Sequence, residues 1–446
     1  MSYQADGSVV GPLAPHASVS EHLGARSLIH DPREGANKLN LVKARGSLVW
    51  DDSGREYLDC TAQAWSNNLG ANDPRVVAAA IAQLEEITHA RPTFHTPVLL
   101  ELTAKLREIA PGSLTRLGYS LHGSTAVETA LKLALRNRPD RQNVLVLQDA
   151  YHGRTLTGMA ASWPHPGNPF GALQTRFTRV PHPYPYRTRL GLSPDQEALL
   201  CLDLLEETIL KGVDGGVAAV MMEPIQGNGG HIEFPRVYLE GVRELCDRHE
   251  VLLIWDEVQT GFGRMGAMFA ADYYGVQPDI IVFGKGAGGG FPLAGVLADD
   301  RLDGFGVADD QLTFGQFPPS LAAGLATITA IEDDRLCERA REHGEHATQR
   351  LLEMAARHEL IGEVRCPGLM VGIELVLDRR TKEPACHELQ EILRLSEERG
   401  VLFGESRYGG IGNFLKVKPP LDIERQQLDH ALDVLDESLG IVQSSR

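Results

Sequence analysis

The sequence predicts an α/β protein built around a mostly parallel β-sheet, with a second, smaller domain. Three observations lead to this prediction. Short apolar runs such as VLLIW and DIIVFG are rich in β-branched residues, which is typical of buried parallel strands. Longer amphipathic segments such as PRVYLEGVRELCDRHE lie between the runs and have the apolar spacing of helices. With 446 residues, the chain is also long for a single hydrophobic core.

Two of the predicted strands are followed by residues that can take part in catalysis. The run VLLIW is followed by Asp256, and DIIVFG is followed by Lys285 and a glycine cluster, GAGGG. In open α/β sheets, ligands bind outside the carboxyl ends of the strands, so we expect both side chains to face one crevice. A primary amine and a carboxylate placed there suit pyridoxal 5'-phosphate (PLP), because the amine forms a Schiff base and the carboxylate keeps the pyridine nitrogen protonated. Taken singly, Lys285 could be a surface lysine and Asp256 a helix cap.

The segments around these two residues resemble those of a known family. DEVQTGFGR, which contains Asp256, and FGKGAGGGFPLAG, which contains Lys285, are similar to the strand motif and the Schiff-base lysine segment of class III aminotransferases of the ornithine/GABA type. The resemblance implies PLP fold type I, in which a large domain carries a central, mostly parallel sheet flanked by helices, and a small α+β domain is built from both chain ends.

Domain boundaries follow from composition and from this resemblance. We expect a flexible N-terminal arm at residues 1–25, because this stretch is rich in Gly, Pro and Ser. Residues 26–75 and 319–446 are expected to form the small domain, and residues 76–318 the large PLP-binding domain. Helical spacing also predicts helices over 74–87 and 98–109.

The net charge and the cysteines indicate which binding partners and which cellular compartment to expect. The net charge of -17 disfavours nucleic acid and anionic membrane surfaces. No apolar run approaches the ~20 residues needed to cross a bilayer, and no signal peptide is recognisable. Six cysteines are widely separated and show no metal-binding spacing, which fits a reducing compartment and predicts a cytoplasmic enzyme without a metal: Cys60, Cys201, Cys246, Cys337, Cys366 and Cys386.

The segment HGSTAVETALKLALRN follows a short predicted strand and has the pattern of a phosphate-binding helix start. Gly123 precedes Ser124 and Thr125, both good N-caps, and Thr125 with Glu128 has the spacing of a capping box. Free backbone N–H groups and the helix dipole favour an anion at such an end, although most caps hold no ligand. The segment is similar to the family's GSEAVE phosphate motif, which implies that these residues bind the phosphate of PLP.

Further cofactor contacts are implied by the resemblance. Tyr151 and His152 match the family's aromatic-His-Gly motif, in which the aromatic ring stacks on the pyridine. Glu223 lies in EPIQG, similar to the family's EPxQG, where the glutamate lies just behind the cofactor. Strand alternation places Asp256 and Val258 on one face of the strand and Glu257 on the other. By resemblance, Val258 packs under the ring and Gln259 hydrogen-bonds the phenolic oxygen.

Substrate and partner contacts are implied at four positions. Thr313 matches a threonine that reaches the phosphate of the neighbouring subunit, which implies a homodimer with its sites at the interface. Trp65 falls where the family has a pocket wall, with core packing as the alternative. Lys416 stands where many members have a carboxylate-binding arginine, and Asn228 where they have the glutamate that pairs with it. Because both partners differ, we expect a terminal amine of a polar metabolite, such as an amino sugar of secondary metabolism.

The predicted function is amino-group transfer between an amine donor and an aldehyde or ketone acceptor through a Schiff base at Lys285. The same apparatus serves racemases or epimerases, decarboxylating transaminases, mutases and PLP-dependent dehydratases, so these reactions stay open. A non-catalytic PLP-binding scaffold is the alternative of another class.

Overall fold

The structure, a computed structural model, describes residues 2–3, 9–10, 39–162, 176–306, 308–406 and 412–446. Apart from two short strands, the predicted N-terminal arm at residues 1–25 lies outside the described residues. Contacts within the chain divide it into two compact units. One comprises Met1–Lys43 and Trp50–Arg55, and the other comprises Ala44–Val49 and Glu56–Arg446. All site residues discussed below belong to the second unit, and the predicted division into large and small domains stays a prediction.

The elements are numbered here in chain order. The strands are β1 (Ser2–Tyr3), β2 (Val9–Val10), β3 (Leu41–Arg45), β4 (Leu48–Asp51), β5 (Glu56–Asp59), β6 (Arg116–Ser120), β7 (Asn143–Leu147), β8 (Phe177–Val180), β9 (Val217–Met222), β10 (Ile225–Gln226), β11 (Ile232–Glu233), β12 (Leu252–Asp256), β13 (Ile280–Phe283), β14 (Ala294–Ala298), β15 (Ile361–Arg365), β16 (Val371–Asp378), β17 (Glu383–Pro384), β18 (Val401–Leu402), β19 (Gly404–Glu405) and β20 (Phe414–Val417). The helices are α1 (Ala62–Trp65), α2 (Pro74–Glu86), α3 (Pro97–Ile109), α4 (Gly123–Asn137), α5 (Leu156–Ala161), α6 (Pro194–Lys211), α7 (Gly227–Gly230), α8 (Arg236–Arg248), α9 (Ala270–Tyr274), α10 (Pro318–Asp333), α11 (Leu336–Arg357), α12 (Cys386–Glu398) and α13 (Arg425–Ser444), with 3-10 turns at Pro185–Arg187 and Lys285–Gly288.

A seven-stranded sheet forms the centre of the larger unit, in the order β6-β14-β13-β12-β9-β7-β8. The strands from β13 to β8 are parallel to their neighbours, whereas β14 runs antiparallel to both β13 and β6. Every residue of β7, β9, β12, β13 and β14 is buried, as expected for a sheet covered by helices on both faces. The predicted α/β class with a mostly parallel sheet is confirmed.

Helix starts agree closely with the capping residues. The predicted helices over 74–87 and 98–109 are observed as α2 and α3, each with proline at its first position. The side chain of Asp73 caps α2, and Thr96 caps α3. Both helices pack against α10. Across the described ranges, no helix is both long enough and apolar enough to span a membrane.

The late part of the chain forms a second sheet in the order β15-β16-β20-β19, with β17 pairing to β16. Its strands are antiparallel, and the register places Gly372 opposite Lys416. Fully buried Arg264 donates hydrogen bonds to the carbonyl oxygens of Leu369 and Pro419, at 3.1 and 2.7 Å, and to Oδ1 of Asn68 at 3.0 Å. The backbone beside β20 is therefore fixed to the DEVQTGFGR segment.

Candidate active site

Strand register brings Asp256 and Lys285 together. In the parallel pairing of β12 with β13, Asp256 lies opposite Val282, and Lys285 follows one glycine after β13 ends. Lys285 is partly buried, and desolvation lowers the pKa of its amine to about 8, although the carboxylates of Asp256 and Glu223 act in the opposite direction. A larger fraction of the amine is therefore neutral and nucleophilic near pH 8 than for an exposed lysine.

Most of the predicted cofactor residues line one cavity of about 380 Å³. They are Gly123, Ser124, Tyr151, His152, Glu223, Asp256, Val258, Gln259 and Lys285. Thr125 lies in the same helix start but does not line the cavity, and Thr313 is exposed on the loop before α10. Trp65 and Lys416 lie next to the cavity rather than in its lining.

Asp256 is held as a buried acceptor at the floor of this cavity. Its Oδ2 lies 2.9 Å from Nδ1 of His152, and its Oδ1 accepts the backbone N–H of Val258 at 3.1 Å. Both contacts fix the orientation of the carboxyl group, so Asp256 is placed to accept a hydrogen bond from a ring nitrogen in the cavity. The buried Nε2 of His152 and Oε1 of Gln259 have no hydrogen-bond partner in the structure. Buried polar atoms are normally satisfied, so a polar ligand in the cavity fits these residues.

The start of α4 forms one end of the cavity. The N-cap is His122, whose Nδ1 accepts the N–H of Thr125 at 3.4 Å, so the prediction of Ser124 or Thr125 as N-cap, with a Thr125–Glu128 capping box, is wrong. The Thr125 hydroxyl instead donates to the carbonyl oxygen of His122 at 2.9 Å and contacts the Ser120 hydroxyl, which ties it to the end of β6. The N–H groups of Thr125 and Ala126 donate to the carbonyl oxygen of His122, both at 3.1 Å, so only the first two N–H groups of α4, those of Gly123 and Ser124, are left for an anion in this cavity.

Glu223 connects the walls of the cavity. Its Oε1 accepts the N–H of Tyr151 at 3.0 Å and its Oε2 accepts the N–H of Gly227 at 2.9 Å. Burial raises the pKa of this carboxyl to about 7, an effect that the neighbouring His152 opposes and Asp256 reinforces. Glu223 therefore orients the loop that carries Tyr151, whose ring lies 5.0 Å from the guanidinium of Arg154.

Glu257 points away from the cavity, as strand alternation predicts. Its carboxylate accepts hydrogen bonds from the Thr260 hydroxyl at 3.1 Å and from the N–H groups of Ala270 and Ala271 at 2.5 and 3.0 Å. Burial raises the pKa of Glu257 to about 7. This acid therefore anchors the start of α9, while its neighbour Asp256 serves the cavity.

Trp65 sits in an unusual backbone turn. All four residues of α1, Ala62–Trp65, have positive φ angles between 46° and 67°, a left-handed conformation that costs roughly 1–2 kcal/mol for each non-glycine residue. Asp59 compensates for part of this strain, because its carboxylate accepts four hydrogen bonds from the backbone and side chains of Thr61 and Gln63, at 2.6 to 3.2 Å. The turn directs the indole of Trp65 toward the cavity lysine.

Three ammonium groups surround that indole. The Nζ atoms of Lys285, Lys416 and Lys418 lie 5.0, 5.3 and 3.1 Å from the ring centroid of Trp65. Sequence reasoning missed Lys418, although alternation along β20 places it on the same face as Lys416 and could have identified it. It also missed the capping residue His122 and the cavity wall formed by Phe291 after the glycine cluster. Asn228 lies in α7, and its amide stands where the resemblance implies a glutamate carboxylate.

The comparisons with known proteins agree with this geometry. Residues 29–439 match the family model of class III aminotransferases. The chain is 35% identical over 415 residues to a leucine/methionine racemase of Thermococcus litoralis, with 91% of each chain covered. It is 34% identical over 397 residues to an acetylornithine aminotransferase of Methanothermobacter thermautotrophicus, covering 89% of this chain and 92% of the relative.

Solved structures of similar proteins agree with this family match. An amine transaminase from an uncultivated Pseudomonas species, in its PLP-bound form, matches with a TM-score of 0.86 and 30% identity, over 94% of this chain and 98% of the other. The taurine:2-oxoglutarate aminotransferase of Bifidobacterium kashiwanohense, in complex with PLP and glutamate, matches with a TM-score of 0.85 and 28% identity, over 91% and 93% of the two chains. The chain is therefore a PLP-dependent enzyme of fold type I and belongs to the class III aminotransferase family.

Proposed function

We propose that this aminotransferase transfers an amino group from the terminal amine of a polar metabolite to a carbonyl acceptor, with Lys285 as covalent anchor and proton carrier. The observation that carries the proposal is the buried Lys285 amine, with a pKa lowered to about 8, in one cavity with Asp256. An amine with this pKa is partly neutral at physiological pH and can accept a proton at Nζ and return it.

The remaining residues orient the reaction. When bound, PLP supplies an electron sink that acidifies the C–H bond beside the substrate nitrogen. Asp256 would hold the ring nitrogen, Gln259 the phenolic oxygen, and Tyr151 and Val258 the two ring faces. The first turn of α4 would hold the phosphate, because its free N–H groups and helix dipole favour an anion.

The choice of a terminal amine rests on Lys416 and Asn228. Arginine offers a planar fork to a carboxylate, whereas lysine is a point charge, so Lys416 does not replace the family's arginine without consequence. An amino sugar or another intermediate of secondary metabolism is the kind of substrate that we propose. Racemisation is the second candidate, because one of the similar curated proteins is a racemase.

A donor and acceptor screen separates these reactions. The purified holoenzyme is incubated with amines, amino acids and amino sugars, each with a 2-oxo acid or an aldehyde, and products are followed by mass spectrometry in D2O. Transamination converts the donor into a carbonyl compound and aminates the acceptor. Racemisation leaves the donor amino group in place but exchanges its α-hydrogen for deuterium. Turnover of α-amino acids alone would refute the terminal-amine proposal, and no bleaching of the cofactor absorbance by any donor would favour a non-catalytic scaffold.

We infer that the enzyme works as a homodimer whose sites lie at the interface. Phe314, next to Thr313 in the chain, is 48% exposed. The ring of His89 lies 4.7 Å from that of Phe314, so this surface continues beyond the loop that holds Thr313. Exposed aromatic surface beside Thr313 supports association with a second copy.

A subunit-mixing experiment tests the shared site. In a mixed dimer of Lys285→Ala and Thr313→Ala chains, one site carries both substitutions and the other carries neither. Random remixing of the two weakly active proteins should therefore restore up to about one quarter of wild-type activity. Activity that stays at the average of the two parents, with dimers shown by light scattering, would contradict a threonine contributed across the interface.

We also infer a cytoplasmic location. All six cysteines are free thiols, and three of them, Cys60, Cys201 and Cys246, are buried. Reduced, buried thiols are typical of a reducing compartment. Fractionation of the native cells with an antibody against the chain tests this, and recovery in a secreted or membrane fraction would contradict it.

A further inference from the structure

The loop between β14 and α10 lies along one face of α4. At the end of the helix, Asn137 and Asp303 exchange two hydrogen bonds between side chain and backbone, at 3.0 and 2.7 Å. One residue earlier in the helix, Arg136 pairs with Asp309 at 3.0 Å. The loop is thus attached to the last turn of α4.

Asp310 makes the best-shielded contact between this loop and the helix. Its Oδ2 accepts the hydroxyl of Thr129 at 2.6 Å, and its Oδ1 accepts Nζ of Lys132 at 2.8 Å. The side chain of Asp310 is 7% exposed, whereas those of Arg136 and Asp309 are 46% and 44% exposed. Exposed ion pairs contribute little, and a shielded carboxylate with two donors is costly to displace. Asp310 is therefore the main anchor of the loop.

Thr313 follows three residues after this anchor, in a short turn. The N–H of Gly315 donates to the carbonyl oxygen of Leu312 at 3.0 Å, which closes the turn around Thr313. A Cβ atom on Gly315 would come within 2.8 Å of the carbonyl oxygen of Tyr119, so the backbone there packs directly against β6. Thr313 is therefore held between two fixed points, Asp310 on α4 and Gly315 on β6.

The same two elements form one end of the cavity. Gly123 and Ser124, the first residues of α4, line it. The hydroxyl of Thr125 contacts that of Ser120 at the end of β6, so the helix start and the strand are joined. The segment proposed to bind phosphate within the subunit and the turn that carries Thr313 thus share one support.

We propose that Asp310 is a positioning residue that holds Thr313 in place for the phosphate of the partner's cofactor, with α4 as its support. This inference rests on the proposed homodimer with shared sites and adds the residue that places the shared threonine. An unanchored loop would lose conformational entropy each time its hydroxyl met the phosphate, so a fixed loop binds more tightly. Helix α4 thereby serves two cofactors, its own at the first turn and the partner's through Asp310.

Release of PLP from the holoenzyme, measured without any amine donor, tests the anchor. Holoprotein is diluted into alkaline phosphatase, which hydrolyses released PLP, and the loss of the lysine-bound absorbance is followed. Asp310→Asn keeps the shape of the side chain and removes its charge. Lys132→Met removes the paired amine from the exposed side, where folding is not at risk. Arg136→Met breaks the exposed ion pair of the same loop and is the matched control.

We expect PLP release to be about tenfold faster in Asp310→Asn and about threefold faster in Lys132→Met, because the threonine contact with phosphate is weakened. Release from Arg136→Met should stay within about twofold of wild type. Wild-type release rates in both Asp310→Asn and Lys132→Met would overturn the proposal.

A double variant shows whether Asp310 acts through Thr313. If it does, Asp310→Asn/Thr313→Ala should release PLP no faster than Thr313→Ala alone, since the group that Asp310 positions is already missing. Independent effects would instead multiply the two increases in rate. Multiplication of this kind would contradict a positioning role.

Mixed dimers show which of the two sites Asp310 serves. A Lys285→Ala chain has no lysine-bound absorbance, so only the site of the other chain is observed, and two affinity tags allow each mixed dimer to be purified. A wild-type chain paired with an Asp310→Asn/Lys285→Ala chain should release PLP about tenfold faster than when paired with a Lys285→Ala chain. An Asp310→Asn chain paired with a Lys285→Ala chain should release PLP at the latter, slower rate. The reverse pattern would mean that Asp310 supports its own subunit's site and would refute the inference.

The outcomes also separate this inference from the proposals on which it rests. Fast release from Thr313→Ala with wild-type release from Asp310→Asn would refute the inference and leave the shared site standing. Wild-type release from Thr313→Ala would refute the shared threonine and the inference together. The expected release pattern with no bleaching by any amine donor would support the inference and refute transamination alone.

Discussion

Replacement of Lys285 by alanine is expected to reduce turnover of any accepted amine donor on the order of 10⁴-fold, because the variant loses both the covalent anchor and the group that moves the proton. The purified variant should fold, since the deleted amine is a buried cation whose removal relieves a desolvation cost. It should bind PLP without the absorbance of a lysine-bound cofactor. Absorbance spectra and single-turnover assays measure both effects.

Hydride reduction provides the direct control for this variant. Borohydride treatment of the wild type followed by peptide mass spectrometry should place the cofactor mass on the peptide that contains Lys285. The exposed Lys211→Ala variant should behave like wild type in both assays. A Lys285→Ala protein that keeps the lysine-bound absorbance, or a labelled peptide from another part of the chain, would refute the assignment of Lys285.

Replacement of Glu374 by alanine should give the largest loss of stability, about 3–5 kcal/mol in the free energy of unfolding. Glu374 is completely buried on β16, where it pairs with Arg187 and Arg365 and accepts a hydrogen bond from the Tyr184 hydroxyl at 2.7 Å. Removing the carboxylate leaves two cations and a hydroxyl with fewer acceptors in a shielded site. The midpoint and slope of urea unfolding measure the effect.

Two matched variants show whether the charge is responsible. Glu374→Gln keeps the shape and one acceptor, so it should cost less than Glu374→Ala. Glu391→Ala breaks an exposed pair with Arg394 and should cost less than about 1 kcal/mol. A Glu374→Ala protein as stable as wild type would mean that Arg365 finds sufficient compensation elsewhere, for which its contact with Glu363 is the candidate.

The residues that contact Glu374 could not be identified from the sequence. Tyr184 and Arg187 lie in the proline-rich segment 181–194, to which the sequence assigns no role. Their function becomes visible only when β16 and β15 bring Glu374 and Arg365 next to them. Arg365 in turn donates to the carbonyl oxygen of Gly230 at 2.7 Å. Contacts between residues so distant in the chain leave no periodic signal, so pattern reasoning does not detect them.

The parts that could be predicted depend on local rules. Asp256 and Lys285 follow two short apolar runs, and parallel strands present their carboxyl ends at one edge, so the sequence was sufficient to bring them together. Alternation placed Glu257 on the opposite face correctly. The same rule applied to β20 would have added Lys418 to Lys416. The start of α4 was misplaced because the Thr125 hydroxyl turns back to His122 and to Ser120 at the end of β6, and these contacts take the place of the predicted cap.

The left-handed turn of Trp65 was not predictable for a different reason. Four consecutive non-glycine residues with positive φ contradict intrinsic preference, and only the acceptor geometry of Asp59 makes the conformation tolerable. Conflicts between local preference and observed backbone are expected at functional sites, and this one lies beside the reactive lysine.

The packing of Gly123 has a consequence for the cofactor itself. A Cβ atom on this glycine would come within 3.1 Å of the methyl groups of Val258, so the start of α4 and the segment that follows β12 touch directly. The separation between the two segments that we propose as anchors for the ends of PLP is thus set by van der Waals contact within the protein. The cavity therefore has a fixed length, and a cofactor analogue with a longer or shorter phosphate arm should fit it less well than PLP.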